Sequence, residues 1–275
     1  MKKILVPTDF SEHAEYALRV AAQIAKKVNA EIFLLHMLEL PSQMSDMTTK
    51  GAEGPEIIFA IKKVREQFQV AKEKPYLEGI PITEAVQFAK AFEGIIESSK
   101  KNAIDLIVMG SHGVSGFEEM FVGSNTEKVV RTSEIPVLVV KSDVQIASLK
   151  KLVFASDFSS EIEDAFPKAL NFAEMLGVEL HMLMVNTPNN FKTTAASEAL
   201  MADFASRYGL ANQVSLHTYN DENLEAGILN FTDKINADLI GICTHGRTGL
   251  SHFFNGSLSE DVVNHSKKAV VTFKI

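Results

Sequence analysis

Short apolar runs alternate along this chain with longer segments whose apolar residues recur every three or four positions. Residues 2–6 form a first apolar run, closed by Pro7. Residues 31–38 form a second, rich in Ile and Leu, and residues 82–87 a third. Residues 105–110 form a fourth, and residues 137–141, behind Pro136, a fifth. Runs this short, partly β-branched and bounded by Gly, Pro or polar residues, predict buried strands of a parallel sheet. Between the first two, Ala14, Ala17, Leu18, Ala21, Ile24, Ala25 and Val28 share one face of a helix that Ser11 can cap. Residues 56–72 and 92–101 predict further helices. Residues 41–55, polar and holding two glycines, predict a loop. Strands separated by helices imply right-handed crossovers and an α/β sheet.

The series then restarts. Residues 151–159, KLVFASDFS, repeat residues 3–11, KILVPTDFS, and Asp157 stands 148 positions after Asp9. Ala165, Ala169 and Ala173 echo Ala17, Ala21 and Ala25 at the same offset. Later, Ala237-Asp238-Leu239-Ile240 echoes Ile104-Asp105-Leu106-Ile107, and His245-Gly246 echoes His112-Gly113 at an offset of 133. The second copy is therefore 15 residues shorter, most simply between its second and fourth strands. Two tandem copies of one α/β unit follow, with domains at 1–144 and 150–275, a linker at 142–150 and a boundary near 145. The last strands, 137–140 and 269–273, are apolar. Left unpaired, each would be an aggregation-prone edge, so the two copies are expected to pair through them as a fused dimer.

The fourth run opens onto a loop with Gly110, Gly113, Gly116 and Gly123, after which residues 125–132 can wind as a helix. Ser124 is the expected N-cap and Glu127 the partner of a capping box. Strand, glycine-rich loop and helix N-terminus together make an anion site. Glycine permits close approach and positive φ, and free N–H groups and the helix dipole favour phosphate. Neither common phosphate loop is present: there is no Gly-x-x-x-x-Gly-Lys-Ser/Thr, and no Gly-x-Gly-x-x-Gly opening directly onto a helix. In a doubly wound sheet, ligands sit beyond the carboxyl ends of the strands, where Asp9, Met37, Gly110 and Gly123 can converge.

The spacing of Gly110, Gly113 and Gly123-Ser124, together with Ile4-Leu5-Val6-Pro7-Thr8-Asp9, resembles the nucleotide loop and first strand of the universal stress protein family in its ATP-binding branch. The resemblance covers nearly the whole chain. It implies two tandem doubly wound domains, each a five-stranded parallel sheet with helices on both faces, paired through their last strands as a pseudo-dimer. It implies ATP as ligand and leaves Mg2+ open. Pro7, Thr8 and Asp9 would meet the adenosine, and Met37 would border the base. Met109, Gly110 and Gly113 would run along ribose and phosphates, and Gly123, Ser124, Asn125 and Thr126 would hold the phosphates. Asp9 can also be read as a turn residue, Met37 as core, His112 as a loop histidine bonded to nearby backbone, and His36 as a satisfied interior histidine. The second copy keeps Ser156, Asp157, Gly246, Gly256 and Ser257 but has Cys243 where the first has Gly110. If that position needs a left-handed backbone or room for a ligand, a side chain there is costly. The second site is therefore expected to bind weakly or not at all.

Composition narrows the partners. A net charge of −8 over 275 residues argues against nucleic acid or an anionic membrane as main partner. A phosphate site on such a surface has to rely on local backbone donors. A single cysteine, Cys243, excludes an internal disulfide. The apolar start breaks at Pro7, too short for a signal peptide, and no 18-residue apolar run exists; these features predict a cytoplasmic protein. Three functions remain open: a nucleotide-binding stress sensor or regulator, a slow ATP hydrolase, and a structural dimer without nucleotide. No nucleophile–base set and no Lys or Arg in the first loop speaks for hydrolysis. AMP, ADP or a lipid-like ligand are alternatives to ATP, and further dimerisation of the tandem is open.

Overall fold

The computed structural model describes residues 1–38, 55–112, 122–211, 213–244 and 257–275, the side chains of Glu56 and Ser257 apart. The first half runs β1 (Lys3–Pro7), α1 (Glu12–Val28), β2 (Glu31–Leu38), α2 (Pro55–Lys72), β3 (Ile82–Phe88), α3 (Ala91–Lys101), β4 (Leu106–Gly110), α4 (Ser124–Thr132) and β5 (Val137–Val140). The second runs β6 (Lys151–Ala155), α5 (Phe166–Leu176), β7 (Glu179–Asn186), α6 (Thr194–Arg207), β8 (Ser215–Asn220), α7 (Leu224–Lys234), β9 (Leu239–Thr244), α8 (Ser257–His265) and β10 (Ala269–Lys274). The predicted loop at 41–55 lies outside the described residues except for Pro55, which opens α2, a first-turn position that needs no N–H partner.

All ten strands form one sheet in the order β3-β2-β1-β4-β5-β10-β9-β6-β7-β8. Pairing is parallel within each half and antiparallel only at the seam, where Val139, Leu138 and Val137 face Val270, Val271 and Thr272. The expected pairing of the last strands is thus present. The central strands are buried on both faces, whereas the outermost, β3 and β8, are only half covered. Strand alternation assigns Leu138, Val140, Val271 and Phe273 to the face covered by α1, α2, α5 and α6, and Val137, Val139 and Val270 to the face covered by α3, α4, α7 and α8. Each core runs across the seam from one half into the other.

Local chemistry repeats with the sequence. Asp105 accepts the N–H groups of Lys2 and Lys3 at 2.5 and 3.0 Å, and Asp238 accepts those of Lys150 and Lys151 at 2.8 and 3.0 Å. That shared task explains the repeated acidic residue before β4 and β9. α1 starts on a Ser11 cap, which accepts from Ala14 N–H, and ends on Asn29 in the left-handed region. The linker is packed rather than free: Gln23 bonds Val144 O and Ile146 N–H, and Arg19 pairs with Asp143. On the same side, Lys27 of α1 donates to Leu176 O at the end of α5.

His181 on β7 and His217 on β8 meet ring to ring, Nδ1 to Nε2, at 3.0 Å. Burial lowers both below the ordinary imidazole range. Lys151 pushes His181 further down, Glu179 opposes this, and His181 in turn lowers His217. The unfolded chain therefore takes up protons first as pH falls below about 6.5. Stability is expected to fall in urea titrations as pH drops through about 6.5, and His181→Phe, which copies Phe33 of the first half, should flatten that slope. At the seam, Val271→Asp buries a lone carboxylate and should cost roughly 3 kcal/mol or more in the same assay.

Candidate functional site

The turn after β1 is fixed by its own side chains. Phe10 adopts φ +63, an unusual state for a bulky residue. Thr8 Oγ1 accepts Phe10 N–H at 3.0 Å, and Asp9 Oδ1 accepts Ser11 N–H at 3.0 Å. His36 Nδ1 donates to Thr8 O at 2.7 Å, and its ring stacks on Phe10 with centroids 4.9 Å apart. His36 is thus a satisfied histidine, as expected, though half-buried rather than interior. Phe158 repeats the strained φ at +54 in the second half. Asp9 serves the turn, as one of its readings has it, and also borders a cavity.

At the end of β4, Gly110 is not left-handed, nor is Gly123, whose φ of −61 any residue adopts. Positive φ is therefore not the reason for either glycine. A Cβ on Gly110 would lie 2.6 Å from His13 O, so the position keeps room for the first turn of α1, not for a ligand. The helix after the loop starts at Ser124 with Gly123 as its cap residue and no side-chain cap bond, which corrects the expected Ser124 cap and capping box. Gly123 N–H closes the loop onto Ser111 O at 2.7 Å. Thr126 Oγ1 donates to Gly110 O at 3.1 Å, pinning α4 to β4 and committing its one hydroxyl proton, so that towards phosphate Thr126 offers its main-chain N–H. The first-turn N–H groups of α4 have no partners inside the helix and stand at the cavity.

That cavity, about 360 Å³, lies beyond the carboxyl ends of β1 and β4, where the strand order reverses. Pro7, Thr8, Asp9, Met37, Met109, Gly110, Gly123, Ser124, Asn125 and Thr126 all line it; Gly113 lies outside the described residues. Ala14, Leu35, Ala91, Ile95 and His112 complete the wall. Leu35, Ala91 and Ile95 are not legible as site residues in the sequence, because ordinary core residues carry no motif. The wall is apolar on one side, at Leu35, Met37, Ile95 and Met109, and polar at the other, the arrangement small-molecule sites share. Met37 lies over Gly94, where even a Cβ would meet its Cε at 2.0 Å. His112 bonds Ser111 Oγ through Nδ1 at 2.9 Å, not backbone, while its Nε2 is buried without a partner among the described residues. Burial, then His13 and Lys141, lower its pKa, so it is neutral near pH 7. A larger cavity, about 430 Å³, opens on the opposite sheet face between α1 and α2. Its central carboxylate, Glu15, already holds Lys74, Tyr76 and Arg19.

Among the described residues, the second half shows about 10 Å³ at the equivalent place. Leu224 replaces Ala91, Val185 replaces Met37 and Leu258 replaces Asn125, all lining the remnant with Ser156. Cys243 sits buried at the Gly110 position, its thiol pushed up by burial. The turn that matches the start of α1 is a 3-10 turn, Ser160–Ile162, and the helix begins only at Phe166 with Pro167 in its first turn. Pro167 stands where α1 has Arg19, and its missing N–H forbids the upstream helical bond. Asp157 repeats the Asp9 turn by accepting Ser159 N–H at 3.1 Å. Gly246 and Gly256 lie outside the described residues, as does the side chain of Ser257.

Fold and cavity together define a tandem, doubly wound α/β protein with a site at the strand switch of its first half. The universal stress protein family model matches residues 1–141 and 148–274, and the chain belongs to that family. Universal stress protein MJ0531 of Methanocaldococcus jannaschii is 35% identical across 51% of this chain and 82% of its own. Universal stress protein Slr1230 of Synechocystis is 22% identical across the full length of both chains. The crystal structure of a universal stress protein from Archaeoglobus fulgidus superposes with a TM-score of 0.74 at 25% identity, covering 99% of this chain and 96% of the other. No helix among the described residues is long and apolar enough to cross a membrane.

Gly110→Ala is expected to destabilise the protein by about 1–3 kcal/mol in chemical denaturation, since α1 or β4 must shift to admit the methyl. Gly123→Ala, whose Cβ would come no closer than 3.6 Å to Ser111 O, should cost far less.

Proposed function

We propose that the amino-terminal half of this universal stress protein binds an adenine nucleotide, ATP, and that the protein acts as a stress-response sensor or regulator rather than as an enzyme. The contrast between the halves supports the reading: one fold keeps an open, polar-ended cavity in its first copy, whereas in the second, among the described residues, the same place is narrowed with Leu224 in place of Ala91 and Leu258 in place of Asn125. The apolar slot suits a base. Asp9, at the turn, can accept from hydroxyl or amino groups. The main-chain N–H groups of Ser124, Asn125 and Thr126 suit phosphate, and charge-assisted bonds to them are worth roughly 1.5–3 kcal/mol each. Neutral His112 offers Nε2 as one more polar atom within the wall. The described lining holds no Lys or Arg to stabilise a transferring phosphoryl group, which favours binding over hydrolysis. The division into domains 1–144 and 150–275 is part of the same proposal, with ligation confined to the first.

Calorimetry with ATP, ADP and AMP, with and without Mg2+, tests the reading, alongside mass spectrometry of any molecule retained through purification. ATP is expected to bind at one site per chain. Asn125→Leu, copying the second half, should weaken it by about tenfold or more. Absence of binding at millimolar nucleotide, or two equal sites per chain, sinks the proposal. Steady ATP hydrolysis that Asp9→Ala abolishes would replace the binder with an enzyme.

A further inference from the structure

Resting on that reading of the first cavity, we infer that the second half supplies a positioning residue to it, Asn264. α8 packs beside α4 across the seam, and Asn264 on α8 bonds the returning limb of the first half's loop directly and connects to the outgoing limb through Lys141. Its Oδ1 accepts Val122 N–H at 2.9 Å, on the limb that leads through Gly123 into α4. Its Nδ2 donates to Glu127 Oε1 at 3.2 Å, within the first turn of that helix. Its main-chain carbonyl accepts Lys141 Nζ at 2.6 Å. Lys141 directly follows Val140, whose carbonyl holds Ser111 N–H at 3.0 Å on the outgoing limb. Val122 and Ser111 are both buried, so neither amide has water as an easy substitute.

The repeat shows that this contact is not simply inherited. At the 133-residue offset, Asn264 corresponds to Arg131 and Glu260 to Glu127. Pseudo-symmetry would give two Arg–Glu pairs between α4 and α8. One is present, Arg131 Nη1 to Glu260 Oε1 at 2.9 Å. In the other the arginine has become asparagine. A guanidinium has donors only, whereas a carboxamide donates and accepts. Only the amide can hold Glu127 and take the Val122 N–H at once. The half whose own cavity is narrowed thus holds the floor of the open one, and the spacing of the α4 amides that would face phosphate depends on it.

Two readouts test this. Hydrogen exchange at Val122–Thr126 in the nucleotide-free protein should quicken in Asn264→Leu. ATP affinity should fall by about tenfold, as expected when a buried donor loses its acceptor. Asn264→Asp keeps the acceptor but sets two carboxylates together, so it should weaken ATP similarly. Adding Glu127→Gln restores a donor–acceptor pair and should recover most of the affinity. If Asn264→Leu does not fold, the comparison of N264D with the double variant N264D/E127Q carries the test alone. Unchanged exchange with unchanged affinity, or no recovery in the double variant, overturns the inference. A wild-type protein that binds no nucleotide overturns the reading of the cavity instead; the exchange result still decides whether Asn264 holds the loop.

Discussion

The antiparallel contact of Val137–Val140 with Ala269–Lys274 is what the rest of the molecule depends on. Each half alone would end its sheet on a strand of Val, Leu and Phe side chains, with a row of open N–H and C=O groups between them. Joined, the two edges remove each other from water, and each fully buried Val or Leu contributes about 1.5–3 kcal/mol. The seam also makes both cores continuous and brings α4 against α8 and α1 towards α5. The Arg131–Glu260 and Asn264–Glu127 contacts exist only because of it.

Once joined, the copies were free to diverge. The first keeps Gly110 because the backbone of His13 lies against it, and α1 can then run unbroken from Glu12. The second carries Cys243 there and breaks the matching helix at Pro167, so the first turn becomes a 3-10 turn. Among the described residues, the space that remains open in one half is narrowed in the other, with Leu224 in place of Ala91 and Leu258 in place of Asn125, and each added buried methylene favours stability by about 0.8 kcal/mol. Packing and ligand access compete for the same volume, and the two halves resolve that competition in opposite directions.

The elements themselves were legible from the sequence, for plain reasons. Fully buried strands have to be continuously apolar, and α1 shows its buried face at a period of 3.6. The repeat of KILVPTDFS as KLVFASDFS announced the tandem, and the apolar last strands announced their pairing. Most of the cavity wall was legible as well, because Thr8 and Asp9 follow β1, Gly110 ends β4 and Gly123 opens α4. Leu35, Ala91 and Ile95 were not, since a core residue beside a cavity looks the same in sequence as one inside the core. The role of Gly110 was hidden for a related reason: a glycine reports that space is needed but not which neighbour needs it.

The sequence by itself determined the strands, the helices, the duplication and the edges that had to meet, because these follow from local periodicity and from burial summed along the chain. Only the tertiary structure decided that Ser124 is not the cap of α4, that Thr126 is tied to Gly110 O, that the second cavity is narrowed among its described residues, and that Asn264 reaches Val122 across the seam. Those outcomes turn on distances of a few ångströms between groups whose places in the fold are set by packing, and linear spacing carries no such information.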